Sequence, residues 1–161
     1  MNKLPRKFFL ILSLILFISF VYYSYLVAKE TFTQLDFDLT VKFQDRIPRS
    51  VDYPFSTLSI IGSAEISMAV WLFLTAVLFF KKHWLSFFSM SLLPLALILE
   101  LFGKTAVFHP APPFLFYRGV IQFDFPSHFI QTNYSYPSGH MTRTAFILSF
   151  LMVYFYYKTS F

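Results

Sequence analysis

From Phe8 to Ala28 the chain runs without a single charged side chain. A helix needs about 20 such residues to cross about 30 Å of hydrocarbon, so the run predicts a membrane span. Lys3, Arg6 and Lys7 precede it, as in a signal peptide. A signal peptide, however, has a shorter apolar region ending in a small-x-small site, and Leu26-Val27-Ala28 is a poor version of one. Composition agrees with a membrane chain. Hydrophobic residues make up 57% of the 161, charged residues only 13%, and mean hydropathy is +0.60. Ordinary soluble domains carry about 25% charged residues, and a chain this short has too little interior to hide so much apolar surface from water. The absence of cysteine excludes disulfide, zinc-thiolate and cysteine-nucleophile chemistry. The net charge of +5 is not gathered into a basic stripe with exposed aromatics, so nucleic acid is excluded as a partner.

Three further apolar runs predict three more spans, at 57–80, 84–103 and 138–157. The expected fold is therefore an all-α, polytopic transmembrane helix bundle forming one membrane domain over 1–161. Pro94 should kink the third span, which membrane helices tolerate. Basic residues cluster at the N-terminus and at Lys81-Lys82. Residues 29–56 hold Glu30, Asp36, Asp38, Asp45 and Asp52 against Lys29, Lys42, Arg46 and Arg49. The positive-inside rule then predicts a protein of the plasma or cytoplasmic membrane with a cytoplasmic N-terminus. Residues 29–56 and 104–137 fall outside the cell. Within 29–56, Leu35, Phe37, Leu39, Val41 and Phe43 alternate as in a strand. A lone strand has no ladder partner, whereas Phe32, Leu35, Leu39 and Phe43 fit a helical stripe, so a short interfacial helix is expected.

Residues 104–143 hold most of the groups capable of chemistry: Lys104, His109, Arg118, His128, His140 and Arg143, among five prolines. At their end lies Tyr136-Pro137-Ser138-Gly139-His140, directly before the last apolar run. A helix N-terminus presents free amide N–H groups and the positive end of the dipole. Ser138 is a good N-cap, and Gly139 lets an anion approach the backbone. Together they form a phosphate cradle. His140, in the first turn, is suited to donate a proton to a leaving oxygen. An ordinary serine-capped helix with an interfacial histidine would give the same four residues. His109, His128 and His140 have no close spacing that would suggest zinc, so no metal or other cofactor is expected. Glu65 lies about eight residues into the second span, roughly 12 Å along a helix; an ionisable group at that depth is a functional candidate.

Pro137-Ser138-Gly139-His140 at the outer start of a span resembles the second motif of the type 2 phosphatidic acid phosphatase superfamily. Lys104 stands where the lysine of its first motif, Lys-x6-Arg-Pro, belongs. The arginine position holds Ala111, followed by Pro112, and His109, Arg118 or Arg143 is left to supply the missing charge. Ile60-Ile61-Gly62-Ser63 and the acidic segment before it are similar to the family's N-terminal half. The resemblance covers roughly 30–157. It implies a six-span architecture of which this chain is about the N-terminal two-thirds. It also implies a lipid phosphate or diphosphate substrate held by Lys104, Ser138 and Gly139, with His140 as general acid and no cofactor. The third motif, Ser-Arg-x5-His-x3-Asp, supplies the family's nucleophilic histidine and occurs nowhere in the 161 residues. A truncated chain without phosphatase activity of its own is therefore expected, lacking about 60–100 residues by the length of two spans and their loops. A non-enzymatic binding or partner protein that keeps the cradle is the alternative, and a small transporter would rest on Glu65 and Glu100 alone.

Overall fold

The computed structural model describes residues 5–121, 123, 125–126 and 134–158; His128 lies outside them. Every regular element among the described residues is helical. The helices are α1 (Arg6–Ala28), α2 (Thr33–Arg46), α3 (Asp52–Ile61), α4 (Ala64–Phe80), α5 (Trp84–Met90), α6 (Leu93–Ala106) and α7 (Gly139–Lys158), with 3-10 turns at Arg49–Val51 and Phe114–Phe116. Among the described residues, Arg6–Ala28 and Trp84–Ala106 are long and apolar enough to cross a membrane. The bent pair 49–61 and 64–80 makes a third candidate if it is counted as one span. These segments make the chain an integral membrane protein by length and apolarity. α7 has the length, but its first turns carry His140, Thr142, Arg143 and Thr144, and it is not among the candidates.

Two breaks refine the expected spans. The run at 57–80 is not one helix: α3 and α4 meet at an angle of 51°. Gly62 ends α3, its N–H bonded to Leu58 O at 3.0 Å. Ser63 then turns extended (ψ 159°) and accepts a weak 3.4 Å bond from the Ile66 N–H. Glycine is a poor helix former and serine a strong N-cap, so Gly62-Ser63 is a stop followed by a start. Glu65 consequently sits in the first turn of α4, where the helix dipole favours an acid. In the run at 84–103 the break falls at Ser91-Leu92. Pro94 lies in the first turn of α6, where its missing N–H leaves no bond unmade. The segment at 33–46 is helical, as its stripe required.

The core forms where α4, α5 and α7 meet: Leu78, Met90 and Ile147 are buried, with Trp71, Leu74, Phe146 and Phe150 packed around them. Trp71 Nε1 donates to Met90 O at 2.8 Å, which satisfies a polar group inside an apolar cluster. α1 lies antiparallel to α7. Phe9 meets the rings of Tyr156 and Tyr157 at one end, and Ser24 is hydrogen-bonded to Tyr136 Oη at 2.9 Å at the other. α6 packs along α7, so the end of α1, the end of α6, the start of α4 and the start of α7 share one end of the bundle. Large apolar side chains face outward, including Leu10, Phe80 and Leu85. Lipid tails are the solvent that tolerates such a surface.

Candidate functional site

The site forms where α6 ends and α7 begins. Ser138 opens α7: its carbonyl accepts the first helical bond from the Thr142 N–H at 3.0 Å. Its Oγ is 3.5 Å from the Met141 N–H, a distance at the edge of bonding that leaves the exposed hydroxyl available to a ligand. The chain enters through a cis Tyr136–Pro137 peptide. Gly103 of α6 accepts the Pro137 ring directly against its Cα, in space a β-carbon would fill. The glycine thereby lets the two helix ends meet.

Three charged side chains converge there. Glu100 is buried on α6, and its Oε1 lies 3.0 Å from Lys104 Nζ one turn later. Its Oε2 lies 3.4 Å from Nη1 of Arg143, which is buried one turn into α7. Arg143 Nη2 donates to Gly62 O at 3.5 Å, a carbonyl freed by the α3–α4 break. Arg143 Nε is buried without a partner. A β-carbon on Gly139 would meet the Glu100 carboxylate and the Arg143 guanidinium, so only glycine allows these groups to reach the α7 backbone.

His140 points to the other side of the same tip. Its ring packs on Gly62 and is hydrogen-bonded to the Ser59 main chain. The charges of Arg143, Lys104 and Glu100 act on it. His140 is exposed and lines a cavity of about 620 Å³ between α3 and residues 117–119, Ile121, Phe123 and Phe125. Phe55, Ile60 and Phe123 give this cavity apolar walls, and Arg118 and Asp52 give it a charged end.

The expected residues therefore separate into two groups. Lys104, Gly139 and Arg143 gather on Glu100, with Ser138 and His140 on either side of Gly139 in the chain. Arg118 belongs elsewhere. It pairs with Asp52 at 2.7 Å and donates to Ile47 O at 3.1 Å and Gln44 Oε1 at 3.3 Å. These contacts clasp the 114–120 segment to α2 and α3. His109 is also committed: its Nδ1 is 2.9 Å from Ser135 Oγ and its Nε2 3.1 Å from Asp36 Oδ2. Ala111 lines a smaller groove beside His109. Of the three candidates for the charge missing at Ala111, only Arg143 stands with Lys104.

Glu100 and Lys104 lie four residues apart, a spacing that pairs them on a helix, but the sequence does not show that Glu100 also holds Arg143 or that Arg143 reaches the Gly62 carbonyl. No local pattern links positions so far apart. Among the described residues no three His, Cys, Asp or Glu side chains cluster as a metal site. No protein-family model, curated protein or solved structure matches the chain.

Proposed function

We propose that this protein grips the phosphoryl group of a lipid phosphate or diphosphate at the outer surface of the membrane, as the binding half of a phosphoric ester hydrolase site. The observation that carries this reading is the convergence of Lys104 and the buried Arg143 at the glycine-opened N-terminus of α7. Two cations and a helix tip form an anion site. The apolar cavity beside His140 suits the tail of such a lipid, with the headgroup at the helix tip.

The roles follow from chemistry. Lys104 and Arg143 neutralise the phosphoryl oxygens, and the Gly139 amide and Ser138 hydroxyl orient them. His140, exposed at the rim, donates a proton to the departing alcohol or phosphate oxygen. Covalent phosphoryl transfer to a histidine would need a second imidazole beside the phosphorus. His83, which stacks edge-on to Tyr154, and His109, held by Asp36 and Ser135, do not line the His140 cavity. Among the described residues no second histidine stands beside His140, and the third-motif histidine is missing from the 161 residues, so we propose binding without turnover, with a non-enzymatic binding protein as the alternative.

Four crossings with a cytoplasmic N-terminus fit the arrangement. The two long connections, 29–56 and 104–137, leave from the site end of the bundle, while Lys81 and Lys82 lie at the other.

Two assays on the detergent-solubilised chain test this. Phosphatidic acid in mixed micelles should bind, and Lys104→Ala should weaken binding by about tenfold or more, the scale of a lost charge-assisted contact. Phosphate release should not exceed that of His140→Ala. Binding indifferent to Lys104 sinks the phosphate reading, and turnover that depends on His140 sinks the claim of an incomplete catalytic set.

A further inference from the structure

The cradle already contains an anion. Glu100 is only 8% exposed. One carboxylate oxygen touches Lys104 Nζ and the other faces Arg143 Nη1. The carboxylate also lies against the Gly139 Cα, where a β-carbon would strike it. It thus makes at once the three approaches expected of a bound phosphoryl group: to the lysine, to the arginine and to the start of α7.

The fit is incomplete, and the shortfall points to a larger ligand. Arg143 Nε is buried with no acceptor. Arg143 Nη1 and Nη2 reach their oxygens only at 3.4 and 3.5 Å, long for charge-assisted bonds. A carboxylate has two oxygens on one carbon; a phosphoryl group has three, spread tetrahedrally. Three oxygens would serve the lysine and two edges of the guanidinium together.

We propose that Glu100 is a resident counter-anion that an incoming phosphoryl group must displace from Lys104 and Arg143, making Glu100 the residue that sets which phosphate charge state the site accepts. This rests on the phosphoryl-binding reading above and adds its selectivity. With Glu100 in place, the two cations are half neutralised. A monoanion meets one unit of like charge from Glu100, and a dianion is repelled twice as strongly. Like charges in a shielded site repel far more than they would in water. Glu100 therefore weakens binding of both kinds of anion, and of a phosphomonoester dianion by more, so it narrows the preference for dianions that two bare cations would show. No bond is made or broken: the carboxylate leaves the cations, rotates away about its own side-chain torsions, and returns when the ligand departs.

The test is equilibrium binding of radiolabelled inorganic phosphate, above its second ionisation, and of dimethyl phosphate, a permanent monoanion. The full-length chain is used in detergent, as wild type, Glu100→Gln, Glu100→Asp and Lys104→Ala. Glu100→Gln keeps the shape and removes the charge. It should bind inorganic phosphate about tenfold or more tightly than wild type, with a smaller gain for dimethyl phosphate, as expected when one like charge is removed from a shielded site. Glu100→Asp keeps the charge but is too short to span both cations, and should fall between the two. It also serves if Glu100→Gln fails to fold. If Glu100→Gln and Glu100→Asp bind phosphate no better than wild type while Lys104→Ala binds it worse, Glu100 is a fixed structural partner and the proposal fails, with the phosphate site intact. If no variant binds either anion in a Lys104-dependent way, the phosphate reading fails and takes the proposal with it.

Discussion

Arg143 and Arg118 show how two arginines expected to serve one site come to serve two. Arg143 is buried between α6 and the α3–α4 break, beside Glu100 and Lys104. Arg118 is spent on Asp52 and the carbonyl of Ile47. Arg118→Ala should therefore lower stability by about 2 kcal/mol, the order of a lost hydrogen-bonded charge that leaves Asp52 unpaired, and should change phosphate affinity far less than Lys104→Ala does. Denaturant unfolding of the solubilised protein alongside the binding assay separates the two effects. A comparable loss of binding in both variants would mean that Arg118 joins the phosphate. Sequence alone left this choice open because nothing local distinguishes the two residues. Each is a lone arginine in the 104–143 stretch, and the partner that claims it lies dozens of positions away. The helix start at Ser138 and Gly139 was legible because it depends on residues within one turn.

At the scale of elements, apolar runs gave the right helical regions and missed where they break. Hydropathy averages over Gly62-Ser63, whereas the backbone responds to glycine's low propensity and serine's capping oxygen. The break is central to the site, since it frees the carbonyl that meets Arg143 and brings Gly62 against the His140 ring. The α6–α7 junction depends on a second glycine. Gly103→Ala would drive a methyl group into the Pro137 ring. The expected cost is about 1–3 kcal/mol, as for other overpacked cores, together with weaker anion binding because Lys104 and Gly139 are pushed apart. Unchanged stability and binding would show that the junction has slack. In 33–46 the strand-like alternation lost to the helical stripe for the reason given by backbone hydrogen bonding: a helix satisfies its own amides, and a single strand has nothing to satisfy them.

For the whole molecule, the claim most exposed to test is orientation. Because the chain lacks cysteine, single cysteines introduced at chosen loops report topology without a background. Thr31→Cys, in the connection after α1, should react with a membrane-impermeant maleimide added to intact cells. Lys82→Cys, in the turn between α4 and α5, should react only after permeabilisation. The opposite pattern would invert the topology and put the α7 tip in the cytoplasm. Composition made the membrane class plain, because no soluble chain of this size tolerates so much outward-facing apolar surface. It did not make the number of crossings plain, because α7 combines a polar tip with an apolar stem and reads as intermediate on any average.

That division within α7 has a practical consequence. Its stem, through Ile147 and Phe150, anchors the packed core, while its tip meets α6 through the Arg143–Glu100 ion pair and the Pro137 ring on Gly103. An anion that bridges Lys104 and Arg143 would rivet the two helices together at that end. Its occupancy would then register as a rise in melting temperature that grows with concentration. Candidate headgroups can be ranked on this protein by heating it in their presence, before any reaction is known.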